Sequence, residues 1–185
     1  MKLNQIQIYS LAQVGGQCIL VLEEVDGPRL LPIWIGLYEG GAIGMALTDQ
    51  KFPRPLTHDL FIRVFNIMKA EIQKVVITAL KNSTFYAEIH TLISSESHII
   101  DARPSDSIAI ALRARCPIYV SEAVFESCPE MLKPISEDEV QDFRKKLETM
   151  KPEDFFKDLK SKKDAPSPER PKEDPLDPDV PPETQ

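Results

Sequence analysis

The sequence predicts an α+β domain built on a mainly antiparallel sheet, and three observations carry that prediction. Strand-like runs come in threes, each trio leads into a helical stretch, and the strand connections are short enough to be hairpins. The order of three strands and a helix occurs twice. The two helices also share a fragment, Ala42-Ile43-Gly44-Met45-Ala46-Leu47 against Ser107-Ile108-Ala109-Ile110-Ala111-Leu112, at an offset of 65 residues. A duplicated βββα unit is therefore expected.

The elements follow in order. Strands are expected at about 3–11, 16–25 and 29–35, the last ending in Leu31-Pro32-Ile33-Trp34-Ile35. A helix from about 38 to 48 comes next, then a second at 57–69 with Leu60, Phe61, Val64, Phe65 and Met68 along one face. Three more strands follow at about 72–81, 84–93 and 97–102. In the middle one, Phe85, Ala87, Ile89 and Ile93 alternate with Tyr86, Glu88 and His90, as a half-buried strand requires. A helix over 104–115 and a short strand at 118–120 complete a domain over 1–127. Residues 128–160 read as a helical extension. Ser136-Glu137-Asp138-Glu139 fits a capping box, and Val140, Phe143, Leu147 and Met150 form one stripe. Pro152 suits the first turn of a short helix carrying Phe155, Phe156 and Leu159.

Composition sets the broad class. Of 185 residues, 42% are hydrophobic and 28% charged, an ordinary globular mixture. No apolar run is longer than five residues, as at Cys18 to Leu22, whereas a membrane-spanning helix needs roughly 20. The start, Met1-Lys2-Leu3-Asn4-Gln5, lacks the apolar stretch of a signal peptide. Cys18, Cys116 and Cys128 are too scattered for a disulfide framework or a zinc pattern. A cytoplasmic protein with reduced thiols is expected.

The net charge of −7 bears on function. A protein that coats nucleic acid through its phosphates gains affinity from released counterions and is usually basic. This chain is not of that kind, though a local arginine cluster or a metal would let an enzyme act briefly on such a substrate. Residues 151–185 hold ten acidic and seven basic side chains and half of the 16 prolines. Apolar side chains nearly vanish after Leu159, so 161–185 reads as a disordered tail.

No Walker loop, G-x-G-x-x-G, H-E-x-x-H, paired C-x-x-C or G-x-S-x-G is present. What remains is two dense polar segments, each at an expected helix start. In Phe52-Pro53-Arg54-Pro55-Leu56-Thr57-His58-Asp59, Thr57 suits an N-cap and Asp59 answers the positive helix end. In the functional reading His58 transfers a proton or binds metal, with Asp59 beside it. In Asp101-Ala102-Arg103-Pro104-Ser105-Asp106, Pro104 fits the first helical position, and Asp106 could simply bond the free N–H groups there. Two aspartates around an arginine also suit phosphoryl chemistry, since carboxylates hold a divalent cation and a guanidinium clamps phosphate. Glu39 is a third carboxylate at a helix start. His90 and His98 read as solvated, and the cysteines as small buried residues.

Leu31-Pro32-Ile33-Trp34-Ile35-Gly36, Pro53 through Asp59, Thr84-Phe85-Tyr86-Ala87, and Asp101 through Asp106 with Ile118-Tyr119-Val120 closely resemble the bifunctional nuclease domain family. The likeness spans about residues 3–127. It departs from the family pattern at Gly40-Gly41 after the glutamate and at Asn82-Ser83 in a hairpin. The resemblance implies an α+β domain, self-association into a homo-oligomer, and cleavage of DNA and RNA. By position it points to Glu39, Arg54, Thr57, His58, Asp59, Asp101, Arg103, Ser105, Asp106 and Arg113. The expected mechanism has Asp101 and Asp106, with Glu39 or Asp59, binding a magnesium or manganese ion, and His58 as general base or acid. Arg54 and Arg103 hold phosphate oxygens, with Thr57, Ser105 and Arg113 as further substrate-binding residues. The alternative is a non-catalytic module for a protein or small ligand, its arginine–aspartate motifs structural.

Overall fold

Two-residue turns set the strand register. Gly15-Gly16 (φ 55° and 85°), Asn82-Ser83 (49° and 60°) and Ser94-Ser95 (50° and 72°) each place two consecutive residues at positive φ, as type I′ hairpin turns require. Asn82-Ser83 therefore does the work of a glycine turn, at some steric cost for serine. The fold is that of a computed structural model, which describes residues 2–50, 52–134 and 137–155.

Strands β1 (Leu3–Val14), β2 (Gln17–Glu24) and β3 (Leu30–Ile35) form a meander followed by α1 (Leu37–Leu47). After α2 (Thr57–Ile67), the strands β4 (Ala70–Lys81), β5 (Thr84–Ile93) and β6 (Glu96–Ala102) form a second meander that leads into α3 (Pro104–Ala114). Then come β7 (Ile118–Ser121), α4 (Glu122–Glu126) and α5 (Glu137–Thr149). The sheet has the order β3-β2-β1-β7-β4-β5-β6. Ile118 of β7 is opposite Ile6 of β1 in an antiparallel pair and opposite Val75 of β4 in a parallel one, so the meanders run in opposite senses on its two sides. The architecture is α+β with a mostly antiparallel sheet, as the strand spacing predicts.

The main core lies between the sheet and the packed pair α1 and α3. Leu20, Leu22, Val75, Ile77 and Ala87 from the strands, and Ile43, Ile108 and Ala109 from the helices, are fully buried there. Each large apolar side chain so buried contributes about 1.5–3 kcal/mol, and these contacts hold the helix starts in place. A second, smaller core covers the other face of the first meander. Ile19, Val21 and Leu30 lie beneath Met131 and Leu147, flanked by Phe143 and Met150. The ring of Phe143 meets Tyr9 edge-on at 6.0 Å. This explains the unbroken apolar run of β2: both of its faces are covered.

The apolar faces of α2 and α5 are only partly covered. The apolar residues of α2 do not all turn inward: no residue of this helix is buried, and Leu60, Val64, Ile67 and Met68 are exposed. Only Phe61 and Ile62 pack against the main core, where α2 lies on α3 and β4. Val140 likewise stays exposed while Leu147 is buried. Ser136, Phe156, Leu159 and residues 161–185 lie outside the described residues. Phe155 is buried, its ring 5.3 Å from that of Trp34.

An ion cluster ties the β2–β3 connection to the start of α4. Arg29 donates to Glu24 and Glu122, both at 2.7 Å, and its guanidinium lies 4.1 Å above the Phe125 ring. Cys18, Cys116 and Cys128 are free thiols. Among the described residues, no helix is long and apolar enough to cross a membrane.

Candidate active site

Three helix starts supply the polar groups. Glu39 is the third residue of α1 and Asp106 the third of α3, each in the first turn after the third strand of its meander. Pro104 opens α3 as its sequence predicts, with Arg103 as the residue before it. Arg103 donates through Nε to Asp106 Oδ2 at 2.7 Å and through Nη1 reaches Glu39 Oε1 at 3.1 Å. Asp106 also faces His58, with Nε2 at 3.5 Å from Oδ1. That separation is in ion-pair range but longer than an aligned N–H···O bond. The Arg103 side chain remains 67% exposed, so its guanidinium is open to solvent while bridging the two carboxylates. Asp106 raises its pKa above that of an ordinary arginine.

The start of α2 is held from below. Thr57 is an exposed first-turn residue rather than the cap; Leu56 occupies the cap, and Asp59 Oδ2 accepts its N–H at 2.9 Å. A carboxylate three residues in takes over the role that the sequence assigns to the threonine hydroxyl. Asp59 Oδ1 accepts Arg113 Nε at 2.7 Å. Arg113, 11% exposed, also donates to the carbonyls of Ala109 at 2.9 Å and Ala42 at 3.1 Å. It thus ties α2 to both α3 and α1. The Leu56 N–H, with Arg113 adding to it, holds the Asp59 carboxyl below the usual carboxylate range.

The convergence is partial. His58, Arg103, Asp106 and Glu39 form one connected surface strip. Asp101 does not join it. Ile100 and Ala102 face the core and Asp101 lies opposite Glu88 across β5, so strand alternation sends its side chain to the other face of the sheet. Its expected partnership with Asp106 is corrected on that ground. Ser105, 6% exposed, lines a groove of about 360 Å³ with Trp34, Phe85, Arg103 and Pro152. Trp34 and Phe85 carry no catalytic signal as residue types, although they belong to the segments Leu31-Pro32-Ile33-Trp34-Ile35-Gly36 and Thr84-Phe85-Tyr86-Ala87. Arg54 is exposed and joins no ion pair among the described residues.

The donors do not fit a resident divalent ion. Glu39 and Asp106 already share the same guanidinium, and a cation between them would meet Arg103. Among the described residues, no three His, Cys, Asp or Glu side chains group as a metal requires.

Residues 20–132 match the family model of the bifunctional nuclease domain. The chain belongs to the bifunctional nuclease domain family. The match begins within β2 and ends just past α4, so the domain's polar strip lies inside it and α5 outside. An uncharacterised protein of Mycobacterium tuberculosis is 41% identical over 152 residues, which cover 77% of this chain and 91% of that protein. Bifunctional nuclease 2 of Arabidopsis thaliana is 29% identical over 123 residues, 64% of this chain and 37% of the plant protein. Bifunctional nuclease 1 of Oryza sativa subsp. indica is 27% identical over 125 residues, 65% and 38% respectively.

Proposed function

We propose that this protein is a nuclease that hydrolyses phosphodiester bonds in DNA or RNA at the His58–Asp106–Arg103 strip. One observation carries the reading: Asp106 faces a histidine on one oxygen and an exposed arginine on the other. With Nε2 turned to the carboxylate, Nδ1 of His58 is the basic nitrogen, and the carboxylate stabilises the imidazolium that forms. Nδ1 takes a proton from a water as its oxygen bonds to phosphorus. The P–O bond to the leaving group breaks, and the imidazolium returns a proton to that oxygen. Arg103 exchanges Glu39 for a phosphate oxygen, which it binds as a planar fork. Arg54 contributes a second charge to the substrate path.

The uncovered apolar row of α2 supports self-association, and the free thiols support a reducing, cytoplasmic setting. A second reading, a non-catalytic binding module, is favoured by the fact that Glu39, Asp59 and Asp106 already have arginine partners within the chain.

The deciding experiment incubates protein purified through a high-salt wash with single- and double-stranded DNA and RNA, comparing magnesium, manganese and EDTA. Asp106→Asn is run in parallel. We expect products from wild type and a loss of about 100-fold or more in the variant, the usual worth of positioned acid–base catalysis. A melting curve checks that the variant is folded. Equal cleavage by both proteins, or none by wild type, would overturn the assignment.

A further inference from the structure

A second cavity, of about 420 Å³, opens between the C-terminal half of α1, the body of α2 and the end of α3. Its volume is within the range of small-ligand sites. Arg63 of α2 and Arg115, just past α3, both line it; both are exposed, and neither joins an ion pair among the described residues. Arg113 lies in the wall, but Asp59 and two carbonyls already engage it. Arg115 occupies the left-handed position that ends α3 (φ 57°, ψ 36°), where glycine would sit without strain. Its long cationic side chain is what the position gains in exchange. Phe52, 43% exposed, adds an uncovered aromatic ring to the lining, which also holds two carboxylates, Asp49 and the Arg113-bound Asp59.

Two unpaired guanidinium groups beside an open ring are the elements that bind a nucleotide unit: the arginines take phosphate oxygens and the ring stacks a base. The cavity also adjoins the catalytic strip. Asp59, which lines it, directly follows His58 in the first turn of α2. We propose that this cavity holds a nucleotide flanking the cleaved bond of a single strand, with Arg63 and Arg115 on its phosphate and Phe52 against its base. As a subsite for cleavage it rests on the nuclease reading; as a phosphate site it stands apart from it. It also explains how a chain of net charge −7 retains a nucleic acid: the attraction is local and uses arginines outside the catalytic strip.

The test separates binding from cutting. A fluorescein-labelled deoxythymidine hexamer with phosphorothioate linkages, which resist hydrolysis, is titrated against the full chain by anisotropy at several salt concentrations. Arg63→Gln with Arg115→Gln is expected to weaken binding at least tenfold. The log–log salt slope should fall by about 0.7, because the two arginines share one phosphate and each single-strand phosphate neutralised contributes about 0.7. Asp49→Asn should tighten binding two- to fivefold, a gain that misfolding cannot mimic, and inorganic phosphate should displace the hexamer from wild type. An unchanged affinity and slope in the double variant, or no binding by wild type at low salt, would overturn the proposal. Cleavage of the unmodified hexamer is measured alongside. Binding that depends on the arginines without cleavage would retain the phosphate site and remove the nuclease. Cleavage with unchanged KM and binding in the double variant would do the reverse.

Discussion

Replacing Arg113 separates a positioning role from a substrate-binding one. Its position in the family motif points to substrate binding, whereas the structure engages it with Asp59, Ala109 and Ala42. Arg113→Gln removes three hydrogen bonds from a side chain that is 11% exposed. Bonds from a charged donor are worth about 1.5–3 kcal/mol each, but they share one group and do not add. Asp59 is 38% exposed, so water recovers part of its loss. Ala42, 8% exposed, has less access to water for its freed carbonyl. A net loss of about 2–4 kcal/mol follows, which lowers Tm by about 5–15 °C at the usual 2–4 °C per kcal/mol for this size. Because the start of α2 loosens, His58 moves relative to Asp106. kcat should therefore fall about tenfold or more, with a smaller change in KM. Thermal melts and steady-state cleavage of one oligonucleotide check both numbers. A variant that melts within about 2 °C of wild type and shows only a raised KM would refute the reasoning and return Arg113 to the substrate.

Other perturbations probe the frame. Leu147, 6% exposed and clustered with Ile19 and Val21, should cost about 2–4 kcal/mol when cut to alanine; a melt that shifts by less than 3 °C would mean that α5 does not cover the sheet in solution. Glu122 is held at about 2, chiefly by the Arg29 side chain and then by Asn4, against an ordinary 4.5. A depressed carboxylate stabilises the fold above its unfolded value and loses that effect as pH falls toward the folded one. The gap in Tm between wild type and Glu122→Gln should be constant above about pH 5 and close as pH falls from 4.5 toward 2. A gap that does not depend on pH would count against the Arg29 cluster.

Local rules made much of this protein legible. Alternation in β5, the two-residue turns, and Pro104 opening α3 depend on residues within a few positions of one another. The sequence supplies all of those residues, so strands, hairpins and helix starts fall where periodicity puts them. The polar motifs were visible for the same reason, because each marks a helix start. By alternation alone, Ile100 and Ala102 indicate that Asp101 turns away from the helices, although two aspartates around an arginine also form a metal-like pattern. Arg63 and Arg115 carried no local mark at all. Each is an ordinary surface arginine until α1, α2 and α3 enclose the same cavity.

What the chain determined by itself is the set of elements and the residues at their ends, because helix capping, turn sterics and side-chain period are short-range. Tertiary structure decided the rest. It inserted β7 between the two meanders, covered both faces of β2 with separate layers, and left the apolar row of α2 outside. It also brought His58 and Arg103, 45 positions apart, to the two oxygens of Asp106. Those outcomes depend on which apolar faces can be buried together, a property of the whole chain that no window of sequence contains.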